Sequence, residues 1–532
     1  GSLNSMDMGG QDVLLKDANT MFGTEDLSYL DGREGWTGNS PMLLRSLNGK
    51  NSTLYENQIM DKVYENSYPQ IENIGNEKYL LVYCDRIAGS KDKTGIYYSV
   101  FDGTWSEPKL ISSPENGSTE PYLINTNDKA YVAWTDVKSV DSDNVAKSLN
   151  STDIRMSVFD KNTLTFGDAL DVTHDTDVDE YSDNTPILSQ TTKNGKDLIM
   201  VYYLKSYYEQ NNALVGDIIN PYTIAACRIY DVNSGKFVDD YSELEKENIS
   251  TYSMYNNADD FQDGWYGQKF LDVSPNAYIS QASVLNDEGN WTSEPQLYSN
   301  NAQKYGRIIS ADSCQHNGKN VFAYVLDEDG NLATSEDEQV YIKLYDASTD
   351  TFTDAMKVSD SEGQCSSPKL VQLKDKTYLL WTESDGIKAI DIGNVVDNCI
   401  KEETVDGKTV SIIDKSENGN YVAPINMISA GDNTVITKFS VESDGDNTAY
   451  ISWTQNETKL KDGIEEGTEE AEKAENRIVE KQIYIARYTA DNDKLSVPVK
   501  MTDEVGANYG DVTFDVTDDD VVKAVTTKSM SD

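Results

Sequence analysis

The feature that most limits how this chain can fold is a unit that recurs along its length. Its clearest copy runs from Tyr68 to Ser112. Tyr-Pro-Gln-Ile leads through a polar turn at Asn76-Glu77-Lys78 into the apolar run Tyr-Leu-Leu-Val-Tyr (79–83), which ends in Cys84-Asp85-Arg86. After a loop, Ile96-Tyr-Tyr-Ser-Val-Phe-Asp102 turns tightly at Gly103-Thr104 into Trp105-Ser-Glu-Pro-Lys-Leu-Ile111. This reads as four strands, with short turns between first and second and between third and fourth. The order returns after Pro121 and Pro186, and further units start near Arg307, Pro368 and Val435. Their second strands include Tyr131-Val-Ala-Trp-Thr-Asp136, Leu198-Ile-Met-Val-Tyr-Tyr203, Val321-Phe-Ala-Tyr, Tyr378-Leu-Leu-Trp-Thr-Glu383 and Tyr450-Ile-Ser-Trp-Thr-Gln455. A weaker unit ends in Gly289-Asn-Trp291 and Ser293–Leu297.

Residues 511–527 read as first and second strands alone, and residues 42–60 as third and fourth strands alone. Two half-units at opposite ends complete one blade and leave no sheet edge exposed, which an open solenoid does not explain. The expected fold is therefore all-β: a single closed β-propeller of four-stranded blades, its ring closed by N- and C-terminal half-blades. The count is eight, or seven if the stretch 245–300, which lacks a convincing first strand, is no blade of its own. A sandwich is the poorer alternative. Residues 1–40, opening with a scar-like Gly-Ser-Leu-Asn-Ser-Met, read as tag and extension, and 41–532 as propeller. An acidic, helix-compatible insertion at 459–481 reads as a solvated arm.

Consecutive strands of a blade are antiparallel, so the second-to-third loops share one face of the ring. They are long, at 86–94, 137–152, 204–222, 327–338 and 456–481, whereas the other face is expected to carry short turns throughout. Long loops on a rigid scaffold are where binding usually resides. The second strands end on that face, near the axis, in Asp85, Arg86, Asp136, Lys205, Asp327, Glu383 and Gln455. Carboxylates ringed with one or two cations suit a polyhydroxylated ligand or a metal; the plainer reading is strand ends facing water. Calcium is the metal to consider, with Asp175, Asp177 and Asp179 as alternating ligands and Asp327-Glu-Asp329-Gly330-Asn331 as a weaker loop. Turn chemistry alone also accounts for such aspartates. Aromatic contact candidates are Trp265-Tyr266, Tyr207-Tyr208 and Tyr222, for which burial is an equal reading.

Composition narrows the partners. The 92 acidic against 45 basic residues leave a net charge of −47, a field that repels phosphate backbones and anionic membranes. No apolar run is long enough to span a bilayer. Five scattered cysteines show neither a disulfide framework nor zinc spacing. Two histidines, His174 and His316, and no serine elbow leave no case for triad chemistry.

The hairpins Ser99-Val-Phe-Asp102-Gly103-Thr-Trp105 and Ser283-Val-Leu-Asn-Asp287-Glu-Gly289-Asn-Trp291 resemble the Asp-box of sialidases and related propellers, with an eroded copy at Asp346–Phe352. The resemblance implies a propeller whose Asp-boxes are structural and lie away from the catalytic face. A sialidase would also need an arginine triad, for which Arg86, Arg228 and Arg307 are the available set; Arg228, on a third strand, fits it poorly. The expectation is a non-catalytic, extracellular or cell-surface recognition propeller, a monomeric domain of a larger bacterial protein that engages a glycan or a host protein. Its rivals are a glycoside hydrolase, which needs two carboxylates about 5–9 Å apart, and a structural spacer.

Overall fold

The computed structural model describes residues 40–48, 53–63, 67–90, 93–138, 145–173, 182–193, 195–211, 217–238, 252–255, 265–274, 277–284, 296–301, 307–329, 334, 336–346, 351–432, 434–502, 507–509, 512–516 and 521–530. The protein is all-β, an arrangement of propeller-type four-stranded antiparallel sheets. Side chains are described in six sheets internal to the chain, spanning 70–110, 117–171, 182–237, 307–357, 366–429 and 434–500. A further sheet, Tyr252–Tyr255, Trp265–Ser274, Ala277–Val284 and Gln296–Asn301, is described through its backbone and supplies the first strand that the sequence left in doubt.

The expected union of the two ends is present. Val521–Met530 pairs antiparallel with Ser40–Asn48, from Met42 opposite Thr527 to Asn48 opposite Val521. Thr513–Val516 and Thr53–Val63 complete this composite sheet on either side.

The second strands are apolar without a break because both of their faces are covered. In the strand Lys78–Arg86, Leu80, Val82 and Cys84 pack against Ala130, Val132 and Trp134 of the next sheet. The alternate residues Tyr79, Leu81 and Tyr83 pack the other way, onto Val525 of the composite sheet. Tyr131 and Ala133 meet Ile199, Val201 and Tyr203. Val321, Ala323 and Val325 meet Leu379 and Trp381, Leu380 meets Ile451 and Trp453, and Ile483 and Ile485 meet Val522 and Ala524. Each such side chain, fully buried, contributes about 1.5–3 kcal/mol, so the sheets hold together chiefly through their faces.

First strands of successive sheets touch from the composite sheet through the 70–110 and 117–171 sheets to the 182–237 sheet, and from the 307–357 sheet through the 366–429 and 434–500 sheets back to the composite one. Polar side chains tie these inner strands together. Gln70 Oε1 accepts from Leu123 N at 2.7 Å, Asp312 Oδ2 from Leu370 N at 2.6 Å, and Asp515 Oδ2 from Asn73 N at 2.8 Å. The side-chain amide of Asn125 donates to Asn73 O at 2.7 Å. Inner strands also carry a recurring bulge. Tyr68, Glu120, Thr185 and Ser367 each precede a proline and each has φ between 46° and 55°. Pairing slips by a residue at three of them, between Thr119 and Tyr122, Asn184 and Ile187, and Ser366 and Lys369.

Two expectations need correction. The face of short turns is not uniform: between the strands Gly386–Asp391 and Ile425–Ser429 the chain inserts an α-helix, α1 (Ile392–Asn398), and the hairpin Ile400–Val405 with Lys408–Ile413. The insertion escapes notice because its apolar residues follow the third strand directly, with Gly393 inside the helix rather than at a break before it. The acidic segment 459–481 is not a helical arm either. The strands Thr448–Leu460 and Arg477–Thr489 stay paired out to Leu460 opposite Arg477, and the tip folds in turns over a buried Ala471, whose carbonyl accepts from Arg477 Nε at 2.9 Å.

Candidate functional site

A cleft of about 540 Å³ opens beside the insertion, on the face of otherwise short turns. Its walls come from three places. Lys376 and Tyr378 begin a second strand, Tyr488 and Asp493 close the third-to-fourth turn of the following sheet, and Asn394 and Asn398 stand on α1. Val422 and Ile425 form an apolar lip and are 63% and 53% exposed.

The polar groups of this cleft hold one another in place. The Tyr488 hydroxyl bridges Tyr378 Oη at 3.0 Å and Asp493 Oδ1 at 2.5 Å, with the two rings edge-to-face at 5.2 Å. Burial pushes the Tyr488 phenol up, and the Asp493 carboxylate adds to it. At Lys376 burial works to lower the ammonium, but Tyr378, Asp493 and Asp391 outweigh it and the amine is raised. Asp391 caps α1 through Asn394 N at 3.0 Å. The helix is clamped from behind. His316 Nε2 lies 2.9 Å from Asp397 Oδ2 and Nδ1 lies 2.8 Å from Thr377 Oγ1. Burial works to raise the Asp397 carboxyl, but hydrogen bonds from His316 and Asn317 win and hold it below the ordinary range. A methyl on Gly393 would meet His316 Cε1 at 2.8 Å, so the close seat of the helix requires glycine there.

Such a cleft offers amide, phenol, ammonium and carboxylate groups in fixed positions beside an apolar lip, the mixture that hydrogen-bonds hydroxyl-rich molecules.

The strand-end set predicted on the opposite face is one strand out from the innermost position, and most of it serves its own sheet. The Trp381 indole donates to Glu383 Oε1 at 2.9 Å, and the Trp453 indole to Gln455 Oε1 at 3.0 Å. Gln455 passes the chain on to Glu457 at 2.9 Å. Asp136 is buried and accepts from Ser118 Oγ at 2.8 Å and Asn116 Nδ2 at 2.9 Å; burial nevertheless raises its carboxyl. Asp85, Arg86 and Lys205 are half-buried at their strands, with Lys205 opposite Asp183. Asp327, fully buried, comes together with Asp329 and Asp337, one oxygen of each within 4.8 Å of the others. This all-oxygen set is of the kind calcium takes. Asp337 went unnoticed because it is the strand register, Asp327 opposite Glu338, that brings it back. Asp175, Asp177 and Asp179, like His174, Arg307's side chain and the aromatic candidates Tyr207, Tyr222, Trp265 and Tyr266, lie outside the residues whose side chains are described; Tyr208 is buried.

A carboxyl pair does sit on the inner strands. Glu72 lies on Gln70–Gly75 and Asp515 on Thr513–Val516; burial first, then the Asp515 and Glu442 charges, push the Glu72 carboxyl well up.

Solved structures similar to this chain include sialidases. The sialidase of Trypanosoma rangeli shares 10% identity, with 93% of this chain and 94% of that one covered and a TM-score of 0.31. A protein of unknown function from Dyadobacter fermentans shares 12%, covering 73% and 90%, at a TM-score of 0.33. A prolyl endopeptidase shares 11%, covering 98% of this chain and 59% of the other, at 0.38. No protein-family model and no curated protein matches the chain. At these identities the likeness concerns architecture, and the chemistry has to be argued from the residues above.

Proposed function

We propose that the protein is a non-catalytic recognition propeller, working outside the cell and binding a glycan, free or carried by a partner protein, in the cleft beside the 392–424 insertion. The carrying observation is the Lys376–Tyr378–Tyr488–Asp493 network with Asn394 and Asn398 opposite it, polar groups fixed by one another along the cleft wall, the two tyrosines themselves buried. The proposed ring has eight blades: seven sheets internal to the chain and the composite one. The long-loop face is a second surface in this reading, with Asp85, Arg86 and Lys205 at its strand ends and the Asp327–Asp329–Asp337 group beside them.

The test is a glycan-array screen with calcium and with chelator, followed by mass spectrometry of any bound glycan after incubation. Binding without cleavage is the expected outcome. Tyr488→Phe removes the bridging hydroxyl and should weaken binding about tenfold, the equivalent of ~1.4 kcal/mol. Cleavage of a bound glycan, or binding untouched by Tyr488→Phe, would sink the reading.

A further inference from the structure

Building on the glycan reading of the cleft, we propose that the sugar it takes is neutral and is gripped through two adjacent hydroxyls. One hydroxyl accepts from the Lys376 ammonium, and the other donates to the Asp493 carboxylate.

The protein's own repeats separate framework from addition at this place. Lysine opens the second strands Lys78–Arg86, Lys129–Val137, Lys196–Asn211, Lys319–Asp327 and Lys376–Glu383. Two residues after Lys129, Tyr131 meets Tyr230 of the following sheet edge-to-face at 6.2 Å; two after Lys376, Tyr378 meets Tyr488 in the same way at 5.2 Å. The turns that follow these partners are equal in length, with Asp231 opposite Lys236 and Thr489 opposite Lys494. Each places one residue in the left-handed region, Gly235 at φ +66° and Asp493 at φ +49°. A Cβ on Gly235 would stand 3.5 Å from the Tyr230 hydroxyl. At the cleft that place holds a carboxylate, which accepts from the Tyr488 hydroxyl. The matching turn between Asp160 and Thr165 has Leu164 there, at φ +57°. The lysine and the tyrosine pair are thus shared framework. Asp493 is the departure, in a conformation that glycine adopts more readily.

Bonds within the cleft decide what remains for a ligand. Tyr488 has one proton, and the 2.5 Å contact with Asp493 Oδ1 claims it. Tyr378 then donates to Tyr488 Oη across 3.0 Å, so neither phenol has a proton left, and both rings are buried. The amides opposite run in one direction: Asn398 Nδ2 donates to Asn394 Oδ1 at 3.1 Å, and Asn394 Nδ2 to Asn420 O at 2.9 Å. Lys376 Nζ donates to Ala490 O at 3.3 Å and lies 3.8 Å from Asp493 Oδ1. The Lys376 and Asp493 side chains are 38% and 72% exposed, which leaves an ammonium donor and the Asp493 Oδ2 acceptor side by side. Neighbouring hydroxyls of a sugar ring suit such a pair, since each can accept or donate. The ring carbons then meet the apolar lip at Val422 and Ile425. Among the lining residues Asp391 and Asp493 outweigh the one cation, Lys376, which disfavours a carboxylated sugar.

The experiment titrates the full chain with the methyl glycosides of mannose, galactose and glucose, and with those of glucuronic and N-acetylneuraminic acid, followed by saturation-transfer NMR. At least one neutral glycoside should bind, and the two acids should bind about tenfold more weakly or not at all. Asp493→Gly puts back the residue found in the Tyr230 turn. Its melting midpoint should stay within roughly 3 °C of the parent's, while neutral-sugar binding falls about tenfold or more. Asp493→Asn, which keeps the shape without the charge, should lie between the two. A preference for the acids, or neutral-sugar binding unchanged in Asp493→Gly, would overturn the inference while leaving the glycan reading in place if Tyr488→Phe still weakens binding. Binding of none of the glycosides would overturn it too, and the glycan reading would then rest on the array alone.

Discussion

Tryptophan and the residue two places after it form the smallest working unit of this protein. A strand's period of two sets their side chains on the same face, so the indole N–H of Trp381 finds Glu383 and that of Trp453 finds Gln455 without leaving the strand. The residue between them points the other way and steadies the inner bulge: Thr382 Oγ1 donates to Ser366 O at 3.1 Å, and Thr135 Oγ1 to Glu120 Oε2 at 3.1 Å. Glu120 then accepts from Thr185 N of the next sheet at 2.8 Å. Glu383→Gln keeps an acceptor and should change stability by less than about 1 kcal/mol, whereas Trp381→Phe should cost about 1–3 kcal/mol in denaturant unfolding. The Trp-Thr-x triplets were legible in the sequence, as were the prolines that open four of the units. Their partnership was not, because it joins residues some fifteen positions apart through a bulge whose left-handed φ no residue type announced.

Among the elements, the second strands were the most readable and the insertion the least. An apolar run such as 79–83 or 378–381 is long enough and bounded clearly enough to show itself. The cleft was invisible because its walls come from a second strand, a turn of the following sheet and a helix that the strand pattern conceals. The sequence reading put binding on the long-loop face, whereas the described cleft opens on the other side. Gly386 marks how tightly the insertion's exit strand is seated. Its φ is +145°, and an added Cβ would lie 1.8 Å from Ile428 O. Gly386→Ala should cost about 3 kcal/mol or more, measured by denaturant midpoint at constant slope. Gly393→Ala is the gentler disturbance. It should displace α1 from His316 and weaken glycan binding while the far-ultraviolet circular dichroism stays that of the parent.

At the level of the whole molecule, the two orphaned half-units at opposite ends were expected to share one sheet, and the pairing of residues 42–48 with 521–527 shows them doing so. Removing residues 512–532 would strip Phe514, Val522 and Val525 from the faces they cover. At about 1.5–3 kcal/mol for each large apolar side chain, the melting midpoint should fall by roughly 10 °C or more, followed by calorimetry. The same pairing has a mechanical side. The two strands are antiparallel neighbours, so the chain enters and leaves the composite sheet at one edge, beside Met42 and Thr527. A tensile load applied at those two points meets the inter-strand bonds one at a time, as a zipper does, rather than all together as in shear. The molecule would thus yield to a pull at those two points far sooner than to a push on any blade, opening first at its own clasp.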